Sequence, residues 1–224
     1  VTGEGRLLLM DTCGAAGSVA LAEGGRVVAS RTLSVRGAAA ELLPAVRAMM
    51  AERGWSPAEL EAIVVVSGPG SFTGVRIGVS AAKGWSEGAG VPMAALSRLE
   101  VLASKSKGER VLAVLDAGRG EFYAGSYTRR GGEMVCAWER MVKREELERE
   151  ADTAKVVVCE GKVAEALKAF ESVMVDEPNA EDALSLGMAA IRAGRLADVA
   201  GLDANYLRRA EVEMLERMRE HERR

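Results

Sequence analysis

Residues 67–78 read SGPGSFTGVRIG, between an apolar run, Ala62 to Val66, and a small-residue segment, Val79 to Gly84. A glycine-rich loop between a predicted strand and a predicted helix is a common place for a phosphate, because the N–H groups of a helix N-terminus face it. The stretch is not a Walker-type loop, which requires lysine after Gly74, where Val75 stands. It is not a dinucleotide fingerprint either, since the sixth position counted from Gly68 is Thr73. A second reason for the glycines is steric. Gly74 and Gly78 stand four apart, and Ala81, Ala82 and Gly84 continue the small surface. Glycine inside a helix costs about 0.5–1 kcal/mol relative to alanine, so something must offset it. Close approach of another helix would do so. Ser71 is expected to cap this helix and Phe72 to anchor the turn in its lobe.

Upstream, RLLLM, SVALAE and VVASRTL read as three consecutive strands, with a hairpin signal at Glu23-Gly24-Gly25. From about Ala39 to Arg53 the period becomes helical, with Leu42, Val46 and Met49 on one stripe and Leu43 and Met50 beside it. Pro44 belongs near the start of that helix and Gly54 at its end. AIVVV is a fourth strand whose continuous apolar character predicts burial on both faces. After the quoted loop and its helix, VPMAAL reads as strand and SRLEVLASK as helix. The first lobe, about residues 1–107, is thus β-β-β-α-β-α-β-α. A smaller second lobe, 108–205, opens with three strands again, and residues 206–224 form a terminal amphipathic helix with Val212, Leu215 and Met218 on one stripe.

Composition narrows the function. With 224 residues, 48% hydrophobic, the chain can bury a sizeable core, and a net charge of −3 argues against gripping nucleic acid alone. The start, VTGEGRLLLMD, has neither a cationic leader nor a long apolar segment, so a cytoplasmic protein is expected, with no membrane partner. Cys13, Cys136 and Cys159 are far apart and read as small buried hydrophobes. The single histidine, His221, lies in RMREHERR near the end. Histidine-based hydrolysis is therefore not expected, a two-histidine metal site within one chain is impossible, and neither catalytic residues nor a metal is expected.

Two further elements could carry chemistry. DTCGAAG follows the first strand with Asp11, Thr12 and turn glycines whose N–H groups can face a phosphate; DAGRG repeats the pattern in the second lobe with Asp116 and Arg119. They are candidate vestigial phosphate loops. Aspartate and glycine are equally good turn residues.

LLLMDTCGAAGSVALAEGGRVV, ELLPAV, IVVVSGPGSFTGVRIGVSAAKG and LDAGRGEFYAGSY together resemble the bacterial TsaB (YeaZ) family, and NYLRRA is similar to that family's tyrosine-leucine-arginine stretch. The resemblance implies a two-lobed actin/Hsp70-like fold (ASKHA, RNase H-like) of mixed sheets flanked by helices. It also implies a non-catalytic subunit that pairs with a TsaD-type catalytic paralogue, joined by a TsaE-type ATPase, in making threonylcarbamoyladenosine (t6A) at position 37 of ANN-decoding tRNAs. tRNA would be met only through the complex. The partner contact carries over to the helices Glu41–Arg53 and Thr73–Gly88, with Leu42, Val46, Met49, Met50, Thr73, Gly74, Arg76, Ile77, Gly78 and Ala81 as its residues; the same surface can form a homodimer. No cofactor is expected, with a nucleotide at the subunit boundary left open. The chain departs from the family pattern at Ala38 and Ala204 and lacks the catalytic relative's H-x-x-x-H pair. The rivals are an independent ATP-hydrolysing enzyme of the same fold, resting on Asp11 and Asp116, and a peptidase, for which neither ligands nor a dyad is present.

Overall fold

The computed structural model describes residues 5–151, 154–168, 170–205 and 207. Two compact units emerge. One comprises the chain up to Val101 together with Glu177–Ala204, the other Leu102–Asp176 with Asn205. The segment 177–204, placed in the second lobe by a linear division, thus belongs with the first unit.

The first unit is built on β1 (Arg6–Asp11), β2 (Ala16–Glu23), β3 (Arg26–Val35), β4 (Leu60–Val66) and β5 (Met93–Leu96), ordered β3-β2-β1-β4-β5. β1–β2 and β2–β3 pair antiparallel, while β4 runs parallel to β1 and to β5. The β2–β3 hairpin closes at Gly24 and Gly25, both with positive φ (59° and 74°) as a two-residue primed turn requires. Every residue from Ala62 to Val66 is buried. Side chains alternate along a strand, so both faces of β4 are covered, as its continuous apolar run predicts.

Two helices pack on this sheet and on each other, α1 (Ala38–Glu52) and α2 (Phe72–Ala89). α1 ends in a paired motif in which the Gly54 N–H donates to the Ala51 carbonyl and the Trp55 N–H to the Met50 carbonyl. Gly54 takes the left-handed conformation (φ 66°) that such a cap demands. Pro44 lies in the second turn of α1 rather than at its start. Its missing N–H would have bonded the carbonyl of Ala40, an exposed residue whose oxygen water can satisfy. The short α3 (Arg98–Ser104) follows β5.

The second unit holds β6 (Arg110–Gly118), β7 (Glu121–Arg130), β8 (Glu133–Lys143), β9 (Lys155–Val158) and β10 (Ser172–Met174), with α4 (Arg144–Ala151) and α5 (Gly161–Ala166). Read from β8, its order is β8-β7-β6-β9-β10, the same third-second-first-fourth-fifth arrangement as in the first unit. Its core gathers Leu112, Val114, Phe122, Val142, Leu147 and Val156, with Val163 and Leu167 from the α5 region. β10 has no counterpart in the sequence reading, being three residues with no fully buried position.

The last element, α6 (Leu184–Arg192), packs on β4 and β5 of the first unit. Gly187 permits this, since a Cβ there would stand 2.6 Å from a Val64 methyl. Among the described residues no helix is long and apolar enough to cross a membrane. His221 and the predicted terminal helix, 206–224, lie outside the described residues except for Leu207.

Candidate partner-binding face and the aspartate turns

The quoted stretch is explained by a neighbour that sequence does not reveal, the turn between β1 and β2. A Cβ on Gly70 would meet the Cys13 carbonyl oxygen, one on Gly74 the Thr12 carbonyl oxygen and one on Gly78 the Thr12 hydroxyl, all closer than the 3.0 Å that real Cβ atoms respect. Three glycines in one register thus serve one turn. The contact is sealed by hydrogen bonds. Thr12 Oγ1 donates to the Gly74 carbonyl at 2.6 Å, and the Ser71 N–H donates to the Cys13 carbonyl at 2.8 Å. Cys13 Sγ lies 3.2 Å from the Val66 carbonyl, and burial pushes its thiol well above the usual range. The steric reading of Gly74 and Gly78 holds, but the group that approaches is this turn and not a second helix.

Ser71 caps α2, accepting from the Gly74 N–H at 3.2 Å. Phe72 does not anchor the turn. It is 59% exposed, with the Arg76 guanidinium stacked 3.8 Å over its ring.

The ten residues chosen for the partner face separate into two groups. Leu42, Val46, Met49, Met50, Gly74 and Gly78 are buried within their own unit. Thr73 and Arg76 are exposed and Ile77 and Ala81 half-buried. Periodicity selects the apolar stripe of a helix without saying whether the sheet or another chain covers it. The strip Ile77, Ala81, Gly84 and Gly88, at spacings of four, three and four, borders the exposed side of α2, which also carries Thr73, Arg76, Ser80 and Glu87. Among the described residues a Cβ on Gly84 or Gly88 would meet nothing within 4 Å. On α1 the exposed residues include Leu43 and Arg47. Ala38, one departure from the family pattern, is buried beside Gly17, and Ala204, the other, is 7% exposed.

At the first aspartate turn, Asp11 and Thr12 are each 2% exposed. Asp11 Oδ1 accepts from the Cys13 N–H at 2.8 Å, and among the described residues Oδ2 has no hydrogen-bond partner. Burial raises the Asp11 pKa, opposed by the Arg98 charge and the Cys13 N–H. Donors beside this turn are bonded within the chain. Glu177 Oε1 accepts from the Ala15 N–H at 3.2 Å and from Arg98 Nη2 at 2.6 Å. Sequence reading missed both residues, because no local pattern links positions 79 apart.

The second turn is open. Asp116 is half-buried, its N–H donates to Glu160 at 2.8 Å, and its carboxylate pairs with the exposed Lys162. Burial pulls its pKa up, but the Lys162 hydrogen bond, the Gly118 N–H and the Lys162 charge together bring it below the ordinary value. Arg119 is exposed, has positive φ (60°), and lines an open cleft with Lys143 and Arg144. The structure therefore leaves Asp11 and Asp116 in two turns of different chemistry.

Two mixed sheets of one strand order, flanked by helices, place the chain in the actin/Hsp70-like class of α/β proteins. A family model described as TsaD, tRNA N6-adenosine threonylcarbamoyltransferase, matches residues 28–214. The Escherichia coli protein named tRNA threonylcarbamoyladenosine biosynthesis protein TsaB is 41% identical over 128 residues, 55% of this chain and 55% of the relative. The Bacillus subtilis protein of the same name is 31% identical over 153 residues, 62% of this chain and 67% of the relative. The matched stretch thus spans about half the length of the Escherichia coli relative. YeaZ from Pseudomonas aeruginosa superposes with a TM-score of 0.78 at 31% identity, covering 91% of this chain and all of that one. The chain belongs to the TsaB (YeaZ) family, within the range of the threonylcarbamoyltransferase family model.

Proposed function

We propose that the chain serves tRNA threonylcarbamoyladenosine biosynthesis as a non-catalytic subunit, pairing with a TsaD-type catalytic subunit and working with a TsaE-type ATPase. Support comes from membership of the TsaB family, whose Escherichia coli and Bacillus subtilis members are named for that pathway. The observation that carries the pairing is the pair Gly84 and Gly88. Gly84, inside the helix, costs it about 0.5–1 kcal/mol relative to alanine, and among the described residues a Cβ on Gly84 or Gly88 would meet nothing within 4 Å. Gly74 and Gly78 are justified internally by Thr12; Gly84 and Gly88 are justified by a second chain that packs closely on α2. Ile77 and Ala81 continue that strip, and Thr73, Arg76 and the exposed part of α1 flank it. The same strip would serve a homodimer when the catalytic subunit is absent. The reading as a subunit without its own chemistry rests also on the single histidine, which cannot supply an H-x-x-x-H metal pair.

The rival of an independent ATP-hydrolysing enzyme loses ground at the first aspartate turn, where the Ala15 N–H and Arg98 are already bonded to Glu177. Two measurements test the proposal. Co-expressed with the cognate TsaD-type protein, the chain should elute with it as one complex in size-exclusion chromatography. In a bacterium depleted of its own TsaB-type protein, it should restore threonylcarbamoyladenosine in tRNA, read by nucleoside mass spectrometry. Separate elution together with no restoration would overturn it.

A further inference from the structure

Among the described residues only two other than glycine take a left-handed backbone, Arg36 (φ 64°) and Arg119 (φ 60°). A Cβ crowds the backbone at such angles, so glycine is the default occupant. Arg36 stands just before α1, next to a glycine that is needed where it is. A Cβ on Gly37 would overlap Ser34 Oγ and the Glu41 carboxylate. That fit lets Glu41 accept from the Ser34 N–H at 2.8 Å and from the Ser34 hydroxyl. Arg36 has no such internal reason. Its side chain is exposed, and its guanidinium has no hydrogen bond or ion pair among the described residues. A strained backbone kept for a side chain that bonds nothing in its own chain points to a contact outside it. Arg36 also lines a hollow of about 330 Å³ in the first unit, with Ala38, Thr73, Ile77 and part of the turn after β1. Val35 and Phe72, the chain neighbours of Arg36 and Thr73, are large apolar residues 68% and 59% exposed. Exposed apolar groups around an arginine have the composition of a binding hot spot.

We propose that Arg36 is the polar anchor of the partner face, and that it pairs with a carboxylate side chain which the second chain inserts into this hollow. Charge complementarity selects the occupant. The acid closest to Arg36 in sequence, Glu41, is turned to Ser34, so the guanidinium takes its counter-charge from the partner. A planar guanidinium holds a carboxylate by two parallel N–H···O bonds, and the apolar rim keeps water from the pair. Ile77 belongs both to the hollow and to the strip that ends at Gly88, so one chain can cover both. The inference rests on the pairing proposed above and names the chemistry of what pairs, an acidic side chain set among apolar ones.

The test is calorimetric titration of the full chain with the cognate TsaD-type subunit at low and high sodium chloride, with a thermal melt of each variant alone. Arg36→Gly removes the side chain and relieves the backbone. It is expected to melt no lower than the wild type and to bind with a Kd at least about tenfold higher. Arg36→Lys keeps the charge without the fork and should bind between the two. The wild-type Kd should rise with salt by a larger factor than that of Arg36→Gly. Wild-type binding matched by Arg36→Gly within about twofold would overturn the proposal and leave the pairing standing. An Arg36→Gly variant that melts lower would also overturn it, by showing that the residue serves its own fold. So would one that pairs normally but fails to restore threonylcarbamoyladenosine in cells, which would point to an RNA phosphate as the occupant. Failure of the wild type to bind would overturn the pairing itself and this inference with it.

Discussion

Asp11 and Asp116 stand at or near the ends of the first strands of two sheets with the same strand order, yet one is sealed and the other solvated. Around Asp11 the turn is pressed under α2, with glycines at 70, 74 and 78 cut to fit it. Around Asp116 the turn faces water, and a lysine side chain supplies the counter-charge. The difference teaches that the Asp-plus-turn pattern records a shared topology and leaves the chemistry of each turn to long-range neighbours. In the first unit those neighbours turn a candidate ligand loop into a packing centre. In the second they leave it as an exposed ion pair.

The comparison breaks most sharply at Gly74. Gly74→Ala drives a methyl into the Thr12 carbonyl oxygen, a backbone atom that cannot swing aside, and should cost about 3 kcal/mol in urea unfolding. Gly78→Ala meets the Thr12 hydroxyl instead and should cost about 2 kcal/mol. Thr12→Ala should then relieve the Gly78 variant but not the Gly74 variant, giving a coupling of about 1 kcal/mol or more in the first double-mutant cycle and little in the second. Had the glycines been present only for a partner chain, neither glycine substitution would destabilise the isolated chain.

The two aspartates should also separate by pH, with opposite signs. The folded pKa of Asp11 is raised above its ordinary 3.8, so its contribution falls as pH rises from about that value through the folded pKa. Asp11→Asn should remove this loss and flatten the profile there. The folded pKa of Asp116 is lowered from the same ordinary value, so its contribution is present above that value and lost as pH falls through the folded one. Asp116→Asn should remove that acid-side loss, an effect under about 1 kcal/mol because the pair with Lys162 is solvated. Urea midpoints measured across the acid range check both; profiles that shift in the same direction would contradict the assigned environments. The smallest effect is expected at Gly84. With open space around it among the described residues, Gly84→Ala should stabilise the isolated chain by about 0.5–1 kcal/mol, in contrast to the loss at Gly74.

Much of the fold was legible because its signals are local. The double glycine at 24 and 25, the continuous apolar run at 62–66 and the Gly54 cap each specify one element from adjacent residues. The outer strand β10 was not legible, because three half-exposed residues carry no period. Nor was the return of α6 to the first sheet, which depends on the fit of Gly187 against Val64. At the candidate site, the helix was read correctly and its neighbour was not. A run of small residues announces close approach but does not name what approaches, and Leu42, Val46, Met49 and Met50 show the matching ambiguity between core and interface. Arg98 and Glu177 were invisible for the same reason, since an ion pair across the chain leaves no mark on spacing.

In the proposed pairing, the inner glycine edge of α2 serves its own turn and the outer one a second chain. Gly84→Arg tests it most directly, because the side chain has space in the isolated subunit and none in a closely packed pair. Size-exclusion chromatography with the cognate TsaD-type subunit, alongside a thermal melt of the variant alone, reads both properties. The account predicts an unchanged or slightly raised melting temperature and loss of the complex. A variant that melts normally and still co-elutes with the catalytic subunit at wild-type yield would contradict it.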